Sequence, residues 1–397
     1  NTTMALITTI DYLTQAFQSK KTSIGLFIDF RKAFDCVDHE ITMTKLEKYG
    51  IRGIPLRWIA DYLSDRKQYV VFDGHPSDML NLKCGVPQGS ILGPLLFLLY
   101  VNDLPSVTCL SSCLYADDAN FFVSGHNIED LADIMNAEIT KILNWSNSNK
   151  LTINTEKTHF LIFSLKKQPI TLSKTITLNN IPLQRKEATK FLGVYIDCKL
   201  TFKDHLTYIK PKIAKSIGIL NKVKHKLATK TLITLYYTLI CPYLTYGIEV
   251  WGSTFTSLTL PIFKLQKRAL RTITNSHHRT HSLPLFTHTK ILTLNDLYIK
   301  SIMLFMYKIN HNIFPAELFR NMFTLNSNIH RHSTRIANNY VTPYVRTEVS
   351  KRSIRSRGVF CWNSFHSSLQ SETASISIFK KHLINKLSTQ PLILTIF

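Results

Sequence analysis

No apolar run in this 397-residue chain reaches the length of about 20 residues that a bilayer-spanning helix needs. Ile91–Val101 is too short, and Thr231–Ile248, though uncharged, is interrupted by threonines, Pro242 and Gly247. The second stretch reads as buried helix and loop. Cysteine is scarce, seven in all and so an odd number, which excludes a disulfide framework and points to a reducing compartment. Cys109 and Cys113 form a C-x3-C with no second pair at zinc spacing, and read as core or loop thiols. With 13 Gly and 14 Pro, collagen-like sequence is out, and no repeat or low-complexity tract appears. No basic segment followed by an apolar one opens the chain, so no signal peptide is expected. A hydrophobic content of 45% excludes wholesale disorder and suggests two or three packed units.

Acidic residues are the other shortage, 26 against 48 Lys and Arg, and they are unevenly spread. Residues 1–150 carry 13 Lys and Arg against 17 Asp and Glu, net −4, while residues 151–397 carry 35 against 9, net +26. A basic body beside a slightly acidic one suggests a polyanion held next to a carboxylate site. In the first third, helical spacing over Thr3–Phe17, His39–Tyr49 and Leu56–Leu63 alternates with strand-like runs such as Ile24–Ile28. Gln68–Phe72 and Asn81–Lys83 flank an Asp73-Gly74 turn, a hairpin signal. A helix is predicted over Leu95–Asn102, two short strands around Asp117-Asp118, an amphipathic helix over Ile128–Trp145 and a strand at Phe160–Phe163. Strands crossed by helices on one side make an α+β layer.

Beyond Asp197 long helices take over. Leu206, Ile209, Ile213, Ile217, Leu220 and Leu227 mark an apolar face, with lysines such as Lys210, Lys215 and Lys222 crowding the remaining positions. Such a helix suits nucleic acid or an anionic membrane. The histidines at 277, 278, 281 and 288 lack a paired cysteine motif and read as a solvated basic surface.

Phosphoryl transfer by two metal ions requires carboxylates from separate elements to converge on hard cations. Asp29 ends an apolar strand, and Asp117 and Asp118 sit at the tip of a hairpin with apolar arms. Two adjacent carboxylates repel unless a cation holds them, and that cost argues for a metal. An Asp-Asp turn alone is weak, but here the order runs FIDFRKAFD (27–35), GVPQGSILGP (85–94), YADD (115–118), LTINTEKTHFLIF (151–163) and KFLGVYID (190–197). This series resembles motifs A to E of reverse transcriptases, in the wording of non-LTR (LINE-type, jockey-like) retrotransposon enzymes. The likeness runs from Asn1 to Asp197, weakens through CPYLTYGIEVWGS (241–253), and starts just before motif A, so a fragment is expected.

The resemblance implies an α+β right-hand polymerase: palm with residual fingers and primer grip over 1–197, helical thumb over 198–275 and a basic helical C-terminal region over 276–397. It implies RNA-directed DNA synthesis, with dNTPs added to a DNA 3′-OH, and two Mg2+ ions for which Mn2+ could substitute. Asp29 and Asp117 would bridge both ions, Asp118 would support them, and the Phe30 carbonyl would complete the nucleotide-side metal. Phe34 falls at the steric-gate position, although on residue type alone it is a core aromatic. Gln88 and Gly89 would touch nucleotide and template. Lys157 would serve as general acid for pyrophosphate, or is simply a surface lysine. Phe191, Leu192 and Gly193 would form the primer grip, or a plain core strand. RNA template, DNA primer or target and dNTPs are the expected partners, with no stable membrane association. Location would be nuclear, with a cytoplasmic ribonucleoprotein. The alternative is a catalytically inactive nucleic-acid-binding remnant of a mobile element.

Overall fold

A computed structural model describes residues 1–315, 319, 322–329, 337–369 and 375–389. These fall into two compact units, residues 21–187 and residues 1–20 with 188–397.

The 21–187 unit is built on a five-stranded sheet in the order Gln184–Arg185, His159–Phe163, Thr22–Ile28, Asp118–Gly125, Ser111–Tyr115. Thr22–Ile28 is central, and all seven of its residues are buried. Its neighbours on both sides run antiparallel to it, with Leu26 opposite Phe121 on one side and Phe160 on the other. Gly25 is required in this strand because a side chain there would press on the Phe122 and Phe163 rings at 2.9 Å. The amphipathic helix is Ile128–Ser148, and it buries Leu131, Met135, Ile139 and Ile142 against the sheet. Helices His39–Lys48, Ile54–Leu63 and Leu92–Val101 complete the layer. The last begins three residues before the predicted Leu95, at the end of the glycine-rich loop.

Two sequence expectations shift. Asp73-Gly74 does turn a hairpin, but its strands are only Val71–Phe72 and His75–Pro76, with a separate pair, Lys67–Gln68 and Leu80–Asn81, further along the arms. The acidic turn is centred on Ala116 and Asp117 rather than on Asp117-Asp118. Tyr115 pairs with Asp118, so Asp118 is already the first residue of a strand.

In the other unit, helix Thr2–Gln18 joins the C-terminal helices. The Arg355 guanidinium donates to both oxygens of the buried Asp11, at 2.6 and 2.8 Å. The sequence division placed residues 1–20 with the first 197, whereas the contacts group them with residues 188–397. Helix Lys203–Val223 buries Leu206, Ile209, Ile213, Ile217 and Leu220, as its spacing predicts, and packs on Thr256–Ile273. Leu227 lies beyond its end and is exposed. The uncharged 231–248 stretch forms helices Thr229–Leu239 and Cys241–Thr245, then a left-handed Gly247. Among the described residues no helix is long and apolar enough to cross a membrane.

Candidate active site

The carboxylates converge because of strand register. Ile28 pairs with Ala119, so the residues that follow and precede them, Asp29 and Asp118, leave the sheet at the same end beside the Asp117 turn. Ala116 makes that turn possible by taking φ +52°, which costs a residue with a side chain about 1 kcal/mol or more. Strain of this kind persists where the surrounding sheet over-determines it.

A second segment fixes Asp29. Its backbone carbonyl accepts from the Asn154 amide at 2.7 Å, its Oδ2 from Asn154 Nδ2 at 3.2 Å, and its amide donates to Thr158 Oγ1 at 3.3 Å. Phe30 bridges Ile153, flanked by the bonds that the Asn154 amide donates to the Asp29 carbonyl and the Arg31 amide to the Thr152 carbonyl, so the Phe30 carbonyl lies on the opposite edge. Lys157 Nζ stands 3.7 Å from Asp29 Oδ2 in a largely exposed pair. Asn154 and Thr158 do not stand out in the sequence, although both lie in the quoted 151–163 run. Asn and Thr there read as ordinary loop polarity until the fold lays that segment along Asp29.

Phe34 has a place both in packing and on a cleft. Its ring packs 4.6 Å from that of Phe97, and it also lines an open cleft of about 820 Å³ with Asp29, Phe30, Gln88, Asp117 and Lys157. Arg31 and Lys32 line the same cleft. Gln88 Nε2 donates to Asp35 Oδ1 at 2.8 Å, tying the glycine-rich loop to the segment after Asp29. Gly85 is needed for that close approach, since a Cβ there would stand 2.9 Å from the Asp35 carbonyl. Gly89 has φ +81° with open space around it.

Burial pushes the Asp118 carboxyl above its ordinary pKa, and the charges of Asp117 and Asp29 push it further. The three acids therefore lie within reach of each other's field. Their donor atoms are all oxygen, and Asp29 and Asp117 line the open cleft, a chemistry that fits a hard divalent cation. Among the described residues, however, no three His, Cys, Asp or Glu side chains are gathered closely enough to hold an ion.

Phe191, Leu192 and Gly193 lie in the other compact unit. They form the end of a hairpin, Ala188–Phe191 against Val194–Asp197, with Phe191 buried and Leu192 and Gly193 both at positive φ. The sequence missed Tyr246. Its hydroxyl donates to the Leu192 carbonyl at 2.7 Å, and its ring covers the place where a Gly193 side chain would be.

The model of the reverse transcriptase (RNA-dependent DNA polymerase) family matches residues 2–196. Residues 2–196 belong to the reverse transcriptase family. Relatives extend the likeness past that span. The probable RNA-directed DNA polymerase from transposon X-element of Drosophila melanogaster is 29% identical, over 72% of this chain and 32% of its own. The RNA-directed DNA polymerase from mobile element jockey of the same species is 25% identical, over 79% of this chain and 35% of its own. The Pol polyprotein from type-1 retrotransposable element R1 of Bradysia coprophila is 26% identical, over 58% of this chain and 23% of its own. The chain spans about a third of the length of the X-element and jockey relatives. Telomerase from Candida albicans matches with a TM-score of 0.36 and 11% identity over 75% of this chain and 51% of that one, too slight a likeness to carry weight.

Proposed function

We propose that this chain extends a DNA primer on an RNA template, joining a dNTP to the 3′-OH and releasing pyrophosphate. The observation that carries the proposal is the register that delivers Asp29 and Asp118 to one end of the sheet, with Asp117 on the adjoining turn and lining the cleft with Asp29. Residues 21–187 then serve as palm, the helices after Asp197 as thumb, and the basic C-terminal helices as an extension that holds nucleic acid. Asp29 and Asp117, supported by Asp118 and the Phe30 carbonyl, would hold two divalent cations, Mg2+ first among them. When bound, these supply acidification of the attacking hydroxyl and neutralisation of the triphosphate.

The remaining work falls to the protein's own groups. Asn154 orients the Asp29 carboxylate through Oδ2, and Thr158 fixes its backbone. Lys157, beside the same oxygen, carries a proton that a leaving pyrophosphate can take. Arg31 and Lys32, on the cleft wall, are placed to bear triphosphate charge. Phe34, which lines the cleft and packs on Phe97, excludes a ribose 2′-OH by volume.

Primer extension on poly(rA)/oligo(dT) with and without Mg2+ tests the reading. Metal-dependent extension supports it. Binding of the primer–template without extension leaves the inactive remnant of a mobile element in its place. Given extension, Phe34→Ala should lower the preference for dNTP over rNTP several-fold, roughly one to two orders of magnitude at most. An unchanged ratio makes Phe34 purely a packing residue.

A further inference from the structure

A flexible ammonium serves as a general acid only if its stem starts from a fixed place. The Lys157 side chain is 69% exposed and meets Asp29 Oδ2 loosely, at 3.7 Å. Its main chain is held much better. Asn154 opens the turn that carries Lys157, its Oδ1 accepting from the Glu156 amide at 3.2 Å and its carbonyl from the Thr158 amide at 2.9 Å. His159 holds the far end of the turn, with Nδ1 2.7 Å from the Lys157 carbonyl. A carbonyl only accepts, so Nδ1 carries the proton and donates it. Burial pushes the pKa of this ring below its ordinary value, so at neutral pH that is its one proton.

The ring is fixed in turn by the strand that delivers Asp29. His159 is the first residue of His159–Phe163 and pairs with Phe27, two residues before Asp29. The two rings stack with centroids 5.5 Å apart and planes 10° from parallel, and Phe27 is buried. If stacking were the whole task of residue 159, a phenyl ring would serve better, because burying an imidazole also desolvates its nitrogens. What imidazole adds at this place is the Nδ1 donor. One strand therefore sets two positions together, that of Asp29 directly and that of the Lys157 main chain through His159.

We propose that His159 is a positioning residue for proton donation, holding the Lys157 carbonyl to a ring stacked on Phe27 and so keeping the Lys157 ammonium at the pyrophosphate leaving group. The proposal deepens the polymerase reading and rests on it, with Lys157 as general acid. In that step the 3′-oxygen bonds to the α-phosphorus while the bond from this phosphorus to the α,β-bridging oxygen breaks. Lys157 gives its proton to the departing oxygen, the hydroxyl proton goes to solvent, and the Lys157 amine is reprotonated from solvent. His159 does not line the cleft, and its effect passes through Lys157.

The test is single-turnover primer extension by the whole chain with Mg2+, reading the maximal rate and the dNTP concentration that gives half of it. His159→Phe keeps a stacked ring and deletes the donor. It should slow the maximal rate about tenfold, part of the roughly 10²–10⁴ that a general acid supplies, with the half-saturating dNTP within about twofold of wild type. His159→Asn, whose amide nitrogen stands where Nδ1 does, should regain most of the rate although it loses the stacking. In a Lys157→Ala chain, His159→Phe should cost nothing further, because groups acting as one unit are not additive. The His159→Phe defect should also be larger with a dNTP carrying a β,γ-CH2 bridge than with the β,γ-CF2 analogue, since the more basic leaving group needs the proton more. Losses that multiply in the double variant overturn the proposal and make His159 a packing partner of Phe27. So does a defect in His159→Asn as deep as that in His159→Phe. Failure of the underlying reading shows before His159 is touched: wild type does not extend the primer, or Lys157→Ala extends it as fast as wild type.

Discussion

Residues 21–187 carry 18 Lys and Arg and 18 Asp and Glu, whereas residues 1–20 with 188–397 carry 30 and 8. The whole excess of +22 therefore sits on the second unit, and the neutral unit holds every carboxylate of the candidate site. Charge of this kind acts over the range of the ionic atmosphere and serves any polyanion sequence, while chemistry needs a few fixed charges at one place. Separating the two tasks lets one unit be strongly basic while Asp29 of the site keeps only a loose, exposed pairing with Lys157 at 3.7 Å. The contrast can be broken from either side, and the two breaks should not resemble each other.

The largest effect is expected in the neutral unit. Asp117→Asn removes a charge at the converging turn and keeps its shape, so extension should fall by about three orders of magnitude or more, the several kcal/mol typical of losing a charge-stabilising ligand. Affinity for the primer–template should hardly change. Wild-type extension by this variant would remove Asp117 from the site. In the basic unit the converse holds. Lys210, Lys215 and Lys222 are exposed on the Lys203–Val223 helix, whose opposite face is buried. Replacing all three by Gln should weaken binding alike for all sequences and flatten the salt slope by about one unit for each phosphate these lysines neutralise. Single-turnover extension at saturating primer–template should stay within about twofold of wild type. An unchanged slope would leave these lysines as a solvated face.

The site was more legible in the sequence than the assembly around it. Asp29, Asp117 and Asp118 were singled out because an acid at the end of an apolar strand is a local anomaly and because the order of the motifs around them resembles that of a known family. Asn154 and Tyr246 could not, because nothing local marks an Asn or a Tyr that acts on a residue 125 or 54 positions away. The helical spacing of 203–223 fixed its buried face, but the company of Thr2–Gln18 depends on partners far off in sequence, such as Arg355 for Asp11, 344 residues away, and Tyr344 and Arg346 for Gln18. That bond also withdraws Arg355 from the basic cluster of the tail, and Arg352 lies 3.7 Å from the Phe255 ring. Arg352 and Arg355 are therefore partly internal structure rather than displayed charge.

Acid should separate the units as mutation does. His205, 2% exposed in the basic unit, is held neutral by burial with its pKa down to about 4. The unfolded chain takes up that proton near pH 6.5, so the associated stability, about 3 kcal/mol, is complete above that value and drains away as pH falls towards 4. In the neutral unit, Glu138 is driven the other way. Burial alone would raise its pKa, but Lys141, the Cys109 amide and the Thr108 hydroxyl bring it down to about 2. Its contribution is complete above about pH 4.5 and is lost only as pH falls towards 2. Hydrogen exchange followed against pH should show the basic unit loosening first. His205→Phe should abolish the pH dependence between 6.5 and 4 whatever it does to absolute stability. Persistence of that dependence in the variant would assign it to another group.

The smallest expected effect concerns the hairpin of the basic unit. Tyr246→Phe deletes one hydrogen bond, the 2.7 Å link to the Leu192 carbonyl, and keeps the ring over Gly193. Tyr246 is 43% exposed, so water can replace the missing hydroxyl, and the cost to stability should be about 1 kcal/mol or less. Leu192 and Gly193 both need positive φ, and a side chain at residue 193 would meet the Tyr246 ring at 2.9 Å. Gly193→Ala should therefore be the more damaging change, through backbone strain and collision together. If the turn positions a primer terminus, Tyr246→Phe should raise the KM for primer–template a few-fold and leave kcat alone, with faster amide exchange confined to residues 192–194. Faster exchange without a kinetic change would mean that Tyr246 steadies a turn the primer does not use. A kinetic effect of Gly193→Ala combined with none for Tyr246→Phe would keep the turn in the primer site and make the hydroxyl dispensable.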